Sequence, residues 1–177
     1  MAYPKITVNT GLAQEVISSD TLPIPSPSLQ VLSGTTTATT ADKLVDVGAD
    51  FSNVSIGDIV YNTTDNTSAS VVAIDSSTIL EVSADIFTSP EAYTIFLGGP
   101  NGSSRIDSSE GCLLYVGSND ATMDIAKSYV DIKVQTTAGS DITFANFPVG
   151  NYLPIQILKL YTTGTDAASR NSCIAIW

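Results

Sequence analysis

Asp120 and Asp124, four positions apart in Ser118-Asn-Asp-Ala-Thr-Met-Asp124, come closest in type and spacing to a metal site. Oxygen-rich loops with carboxylates at such intervals can converge on a hard cation such as calcium. The spacing fits no EF-hand loop, however, and a solvated turn accounts for the pair as well. Asp75 and Asp85 stand the same way. Paired carboxylates could also cleave a glycosidic bond, but that needs ~5 to 9 Å between two acids, which is a property of the folded chain. Gly98-Gly99 and Gly102 follow a strand-like run, yet no helix pattern succeeds them to receive a phosphate. Tyr61, Tyr93, Tyr115, Tyr129, Tyr152 and Tyr161 could form a sugar-stacking platform; each also lies in or beside a strand-like run, where a ring fills a core or an interface. Cys112 and Cys173 sit in apolar runs and read as buried free thiols, the alternative being a disulfide formed in an oxidising medium.

Other residue types are missing. The chain has no His, the commonest general base and zinc ligand and the usual partner of a Ser or Cys nucleophile. With 7 Lys+Arg against 18 Asp+Glu its formal charge is -11, and the cations are scattered from Lys5 to Arg170, so it repels a phosphate backbone. The apolar runs are too short for a secretory core or a membrane span. The expectation is a non-enzymatic protein made in the cytoplasm, with no catalytic, cofactor or metal residues and neither nucleic acid nor membrane as partner. Four Asn-x-Ser/Thr sequons, at Asn53, Asn62, Asn66 and Asn101, then read as accidents of composition.

The elements that would position these residues are strands. The 177 residues include 21 Thr and 22 Ser, and with Val, Ile and Tyr these outweigh the straight-chain helix formers. Residues 1–34 carry Pro4, Pro23, Pro25 and Pro27 and read as an extended arm, with short strands possible at Lys5–Val8 and Ser28–Leu32. Polar stretches at 34–40 and 98–104 bracket a middle block. Within it, 44–47, 58–61, 70–74, 78–82 and 92–96 are apolar runs of strand length separated by turn residues, and 84–87 could make a short turn of helix. Five closely spaced strands suit a small barrel or roll. In the third block Val130, Ile132 and Val134 alternate with Asp131, Lys133 and Gln135, the mark of a half-buried antiparallel strand. A hairpin through Gly139 returns along 141–145, and strands follow at 152–162 and 172–177. The expected fold is all-β: an antiparallel, jelly-roll-like β-sandwich built from 1–34 and 105–177, with residues 35–104 inserted as a small β-barrel or roll.

The third block also carries a resemblance. Leu114-Tyr-Val-Gly117, the run Asp131 to Phe144, Asn146-Phe-Pro-Val-Gly150, Leu153-Pro-Ile-Gln-Ile157, Thr162-Thr-Gly-Thr165 and Ile174-Ala-Ile-Trp177 resemble, as an ordered series, the spike-base proteins on the heads of tailed phages and gene-transfer-agent particles. The block Leu44 to Phe96 looks like a small β module that recurs in phage structural proteins, and its insertion departs from the simpler spike-base pattern. The resemblance implies a virion structural protein, a capsid decoration or head spike-base subunit on the virion surface that can carry a fibre. Its implied partners are the major capsid protein or a neighbouring virion protein and further copies of itself. A tail, collar or fibre-adaptor subunit, a carbohydrate-binding module for host attachment and a small hydrolase are the other readings.

Overall fold

The computed structural model describes residues 11–88, 90–98, 111–119 and 128–177. The strands expected at 5–8 and the aspartates at 120 and 124 lie outside that range, as do Gly99 and Gly102. Among the described residues thirteen strands form two antiparallel sheets of six and seven strands, so the chain is all-β, in keeping with its branched and hydroxyl-rich composition.

The six-stranded sheet comes from both ends of the described chain: β1 (Ala13–Glu15), β9 (Cys112–Tyr115), β10 (Tyr129–Thr136), β11 (Asp141–Pro148), β12 (Tyr152–Leu160) and β13 (Ile174–Ile176), in the order β1-β13-β9-β12-β10-β11. It cannot be flat. Pro148 pairs with Tyr129 at one end of β10, and Ile157 pairs with Thr136 at the other. In a flat sheet Tyr152 would therefore stand some ~40 Å from Pro148 at about 3.3 Å per residue, whereas the connecting residues 149–151 can span only about 14 Å. The sheet folds over along β12, whose first half pairs with β9 and whose second half pairs with β10. The crossing is pinned where Val149 N–H donates to Ser128 O and Gly150 N–H to Val116 O, at 2.9 and 2.8 Å. Val130, Ile132 and Val134 from one layer and Cys112, Leu114, Leu153 and Ala175 from the other share one core. The period-two pattern of 129–135 thus buries the expected face.

Residues 30–96 make the second sheet, ordered β2 (Gln30–Thr35), β8 (Ala92–Phe96), β5 (Ile59–Asn62), β6 (Thr67–Ser76), β7 (Ile79–Val82), β4 (Lys43–Val45), β3 (Ala38–Thr40). Its edge strands β2 and β3 are joined by Thr36 and Thr37 alone. Thr36 N–H donates to Glu91 O beyond one edge, and Thr37 N–H to Val45 O beyond the other. The sheet therefore rolls into a small barrel, filled by Leu44, Phe51, Val60, Leu80, Tyr93 and Ile95 among others. Two local readings of the sequence differ here. The polar run 34–40 is not only a connector, because its Thr-rich end is the wholly exposed strand β3. Residues 84–87 are not helical: Ile86 and Phe87 turn inward from an irregular loop and close the barrel core. The strand expected near 28–32 forms over Gln30–Thr35 and belongs to the barrel through β8.

Candidate functional site

The acids come first because they would carry any chemistry. Asp46, Asp58 and Glu91 are buried, all three in the barrel. Asp46 accepts from the Tyr93 hydroxyl at 2.8 Å and from Gly48 N–H at 2.9 Å. Asp58 is fully enclosed and accepts from Ser55 N–H at 2.8 Å and Gly98 N–H at 3.0 Å. Glu91 accepts from the Asn62 amide at 2.9 Å and from the Thr88 backbone and hydroxyl at 3.2 and 3.3 Å. Each carboxylate thus takes up N–H or O–H groups that barrel closure would otherwise strand in a dry interior. The sequence passed over all three. The available signal was their position at the ends of apolar runs beside turn residues, where an Asp can accept from the backbone a few residues away.

Of the acids singled out in the sequence, Asp75 pairs with Lys43, whose ammonium also stands 3.9 Å from Glu81 across neighbouring strands. Asp85 is exposed in the loop before Ile86. One pair of acids does meet: partial loss of solvent on the side facing the barrel, then the charge of Glu91 and a hydrogen bond to it, raise the Asp65 carboxyl above its ordinary range. Asp65 is exposed on the turn 63–66, and neither acid lines a cleft described below. Among the described residues no three acids or thiols group closely enough to hold a metal ion. Gly98 serves packing: a Cβ there would fall 2.2 Å from Gly57 O.

The six tyrosines divide. Tyr61, Tyr93 and Tyr161 are buried. Burial and the bond to Asp46 raise Tyr93, and burial with the bond to Asp141 pushes Tyr161 up to about 12. Tyr129 and Tyr152 are half exposed, and Tyr152 meets Tyr115 edge-on with ring centroids 5.3 Å apart. Both thiols are free and buried, and burial pushes Cys112 up to about 12 and Cys173 to about 11.

Among the described residues, concave surface lies at the seam between sandwich and barrel, a feature that no local pattern announced. Ile17, just past β1, packs with Ile59, Tyr61 and Phe96 of the barrel. The Tyr61 ring lies edge-on to Phe96, and its hydroxyl is enclosed against the Ile17 backbone outside bonding geometry. Burial, then the nearby Cys112 thiol, push its acidity far below that of an ordinary tyrosine. Beside it lies a cleft of about 220 Å³ between Gln14, Glu15 and Ile17 on one side and Gln30, Tyr61 and Thr94 on the other. Gln14 Nε2 and Tyr61 Oη are the buried side-chain polar atoms left without a hydrogen bond among the described residues. A wider cleft of about 580 Å³ runs between Ser18, Ser19, Asp20, Thr162 and Arg170 of the sandwich and Thr67, Ser68 and Ile86 of the barrel. Asn66, at φ 57°, lines both. Asp20 is held below the usual carboxylate range by the backbone and hydroxyl of Thr163. Hydroxyls and amides make up much of the wider cleft's wall, which suits hydrogen bonding to a polar surface, whereas the smaller cleft is lined more by apolar surface, with Ile17, Tyr61 and Phe96.

The chain matches no protein-family model, no curated protein and no solved structure.

Proposed function

We propose that this chain is a structural subunit of a phage-like particle, a capsid decoration or head spike-base protein in which the sandwich docks on the shell and the barrel projects. The observation that carries the reading is the division of the chain between the sheets. The strand Ala13–Glu15 and the strands from Cys112 to Ile176 build the sandwich, and the strands from Gln30 to Phe96 build the barrel. The same third block bears the spike-base resemblance, so the wording that suggests a base and the strands that would form one coincide. The domain reading follows: an arm and sandwich from 1–34 and 105–177 carrying an inserted module at 35–104, with the strand at 30–35 given to the barrel.

A base of this kind works by shape and repeated contact. Many copies, each bound through a modest interface of ~800 Å² per partner, reach particle-scale adhesion by avidity. A net charge of -11 opposes non-specific clumping of unassembled copies. Co-sedimentation of the purified chain with expanded heads tests this: the chain pellets with heads and stays in the supernatant without them. A monodisperse monomer that never pellets with heads overturns the proposal.

The Tyr115–Tyr152 pair favours a second reading, a glycan-binding module for host attachment, because a half-exposed ring beside a fixed partner can stack on a sugar. Glycan-array binding that is lost on Tyr152→Ala, with no affinity for heads, selects that reading instead.

A further inference from the structure

Among the described residues the sandwich has one long open edge. Strand β11 ends the six-stranded sheet, runs eight residues and buries none of them fully. The opposite edge, β1, is three residues long, and the barrel's edge strands are drawn together by its closure. Natural sheets blunt such edges with charges, prolines or bulges, since a free row of N–H and C=O groups templates another strand. Between the hairpin and Asn146, where φ turns to 51°, β11 has no proline and one charge, Asp141. The chain as a whole is far from neutral.

The inner face of this strand is also incomplete. Ile142 and Phe144 stand opposite Val134 and Ile132, so their side chains continue the core face. Phe144 packs on the core from the margin, and Ile142 remains 39% exposed. Which backbone groups face outward follows from the neighbouring strand. Lys133 O accepts from Tyr161 N–H on the β12 side, so Lys133 and Thr143 form a non-bonded pair, and Thr143 turns its N–H and C=O to the open edge. Asp141 and Ala145 share that phase.

We infer that β11 pairs antiparallel with β11 of a second copy, about a two-fold axis at Thr143. That register sets Thr143 against its own counterpart, Asp141 against Ala145, and Ile142 against Phe144. It lays the exposed Ile142 of each copy across from the half-buried Phe144 of the other on the inner face, extending both cores. It also keeps the two Asp141 carboxylates about 13 Å apart at ~3.3 Å per residue, beyond the ~8 Å screening length at physiological salt. A register centred on Ile142 would halve that separation, and one centred on Phe144 would run into the Asn146 kink. The self-complementary pattern, in which the lone charge avoids its own image, is what selects a second copy as occupant.

A strand pair of this length is at the small end of specific interfaces, under ~1,200 Å² in total, so it shows in concentrated protein and is multiplied where copies are held side by side. The inference deepens the proposed function by naming a homotypic contact, but its test needs no particle. Sedimentation equilibrium from dilute to millimolar protein should show the average mass climbing from 18.5 kDa towards twice that value. Thr143→Pro removes an outward N–H and leaves the β10 ladder intact, so it should keep the native circular dichroism and stay at monomer mass. Thr143→Cys should cross-link to a dimer on oxidation, because both native thiols are buried. A wild type that remains monomeric, a Thr143→Pro variant that associates as the wild type does, or a Thr143→Cys variant that does not cross-link overturns the pairing. Deleting residues 1–10 should leave association unchanged; if association is lost, the N-terminal arm occupies the edge and self-pairing is wrong. A wild type that stays monomeric yet pellets with heads would overturn the edge contact alone.

Discussion

The barrel and the sandwich solve the same problem with different chemistry. The barrel buries three carboxylates and an Asn, each holding backbone or hydroxyl donors. Among the described residues the sandwich buries hydroxyls and thiols and no acid: Ser169 donates to Gly117 O at 2.7 Å, and Cys173 lies against Ser169 O. A small barrel closed through two residues needs strong acceptors where its strands end. A sheet folded along one strand can satisfy its backbone by its own ladders and leave an edge open. The difference teaches where each module can be altered: the barrel fails when a polar bond is removed, and the sandwich tolerates polar loss better than apolar loss.

The largest expected effects test whether the two cores are separate. Ile95→Ala in the barrel and Ile132→Ala in the sandwich each remove a fully buried side chain and should each cost about 2 to 5 kcal/mol. Because the residues share no core cluster, the double variant should lose the sum to within about 0.5 kcal/mol in denaturant titrations. A larger coupling would mean that the seam joins the cores into one.

Next in size is the polar contrast. Asp58→Ala strands the Ser55 and Gly98 N–H groups in the barrel and should cost about 2 to 3 kcal/mol. Ser169→Ala in the sandwich should cost about 1 kcal/mol. Equal losses would erase the distinction drawn above.

The seam is where neither solution is complete. Tyr61→Phe removes an enclosed hydroxyl that has no bonding partner, and should raise stability by about 1 kcal/mol in thermal or denaturant unfolding. A loss of stability would show that this hydroxyl is bonded.

The smallest effect is alkaline. Well below the ordinary thiol pKa of ~8.5 the thiols are protonated in both folded and unfolded chains and contribute no pH dependence. Above that the unfolded chain ionises them, while the folded chain keeps Cys173 protonated to about 11 and Cys112 to about 12. Stability therefore falls as pH rises through that window. At pH 8 both thiols should resist a soluble disulfide reagent in the native protein and react on unfolding.

How much of this was legible in the sequence depends on the range of the interaction. The strand at Tyr129–Thr136 declared itself because its alternation is local, and the fold class followed from composition. Strand β3 did not, since all three of its residues are exposed and carry no apolar pattern. Gln30–Thr35 read as part of the arm because nothing within it reveals that its partner is Ala92–Phe96, some sixty residues on. The tyrosines could not be sorted by parity: every residue of Ile59–Asn62 is buried, so Tyr61 lies in a strand with no wet face. The seam was invisible for the same reason, because Ile17 sits outside any regular element and finds Tyr61 only in three dimensions.

The central claim is that this chain serves by adhesion as part of a particle, and an image of the parent particle tests it most directly. Electron cryomicroscopy at a resolution that separates the two modules should place the sandwich against the head shell with the barrel directed outward, in symmetry-related copies. Particles that lack the chain altogether, or purified protein that turns over a polysaccharide while no particle carries it, would contradict the account.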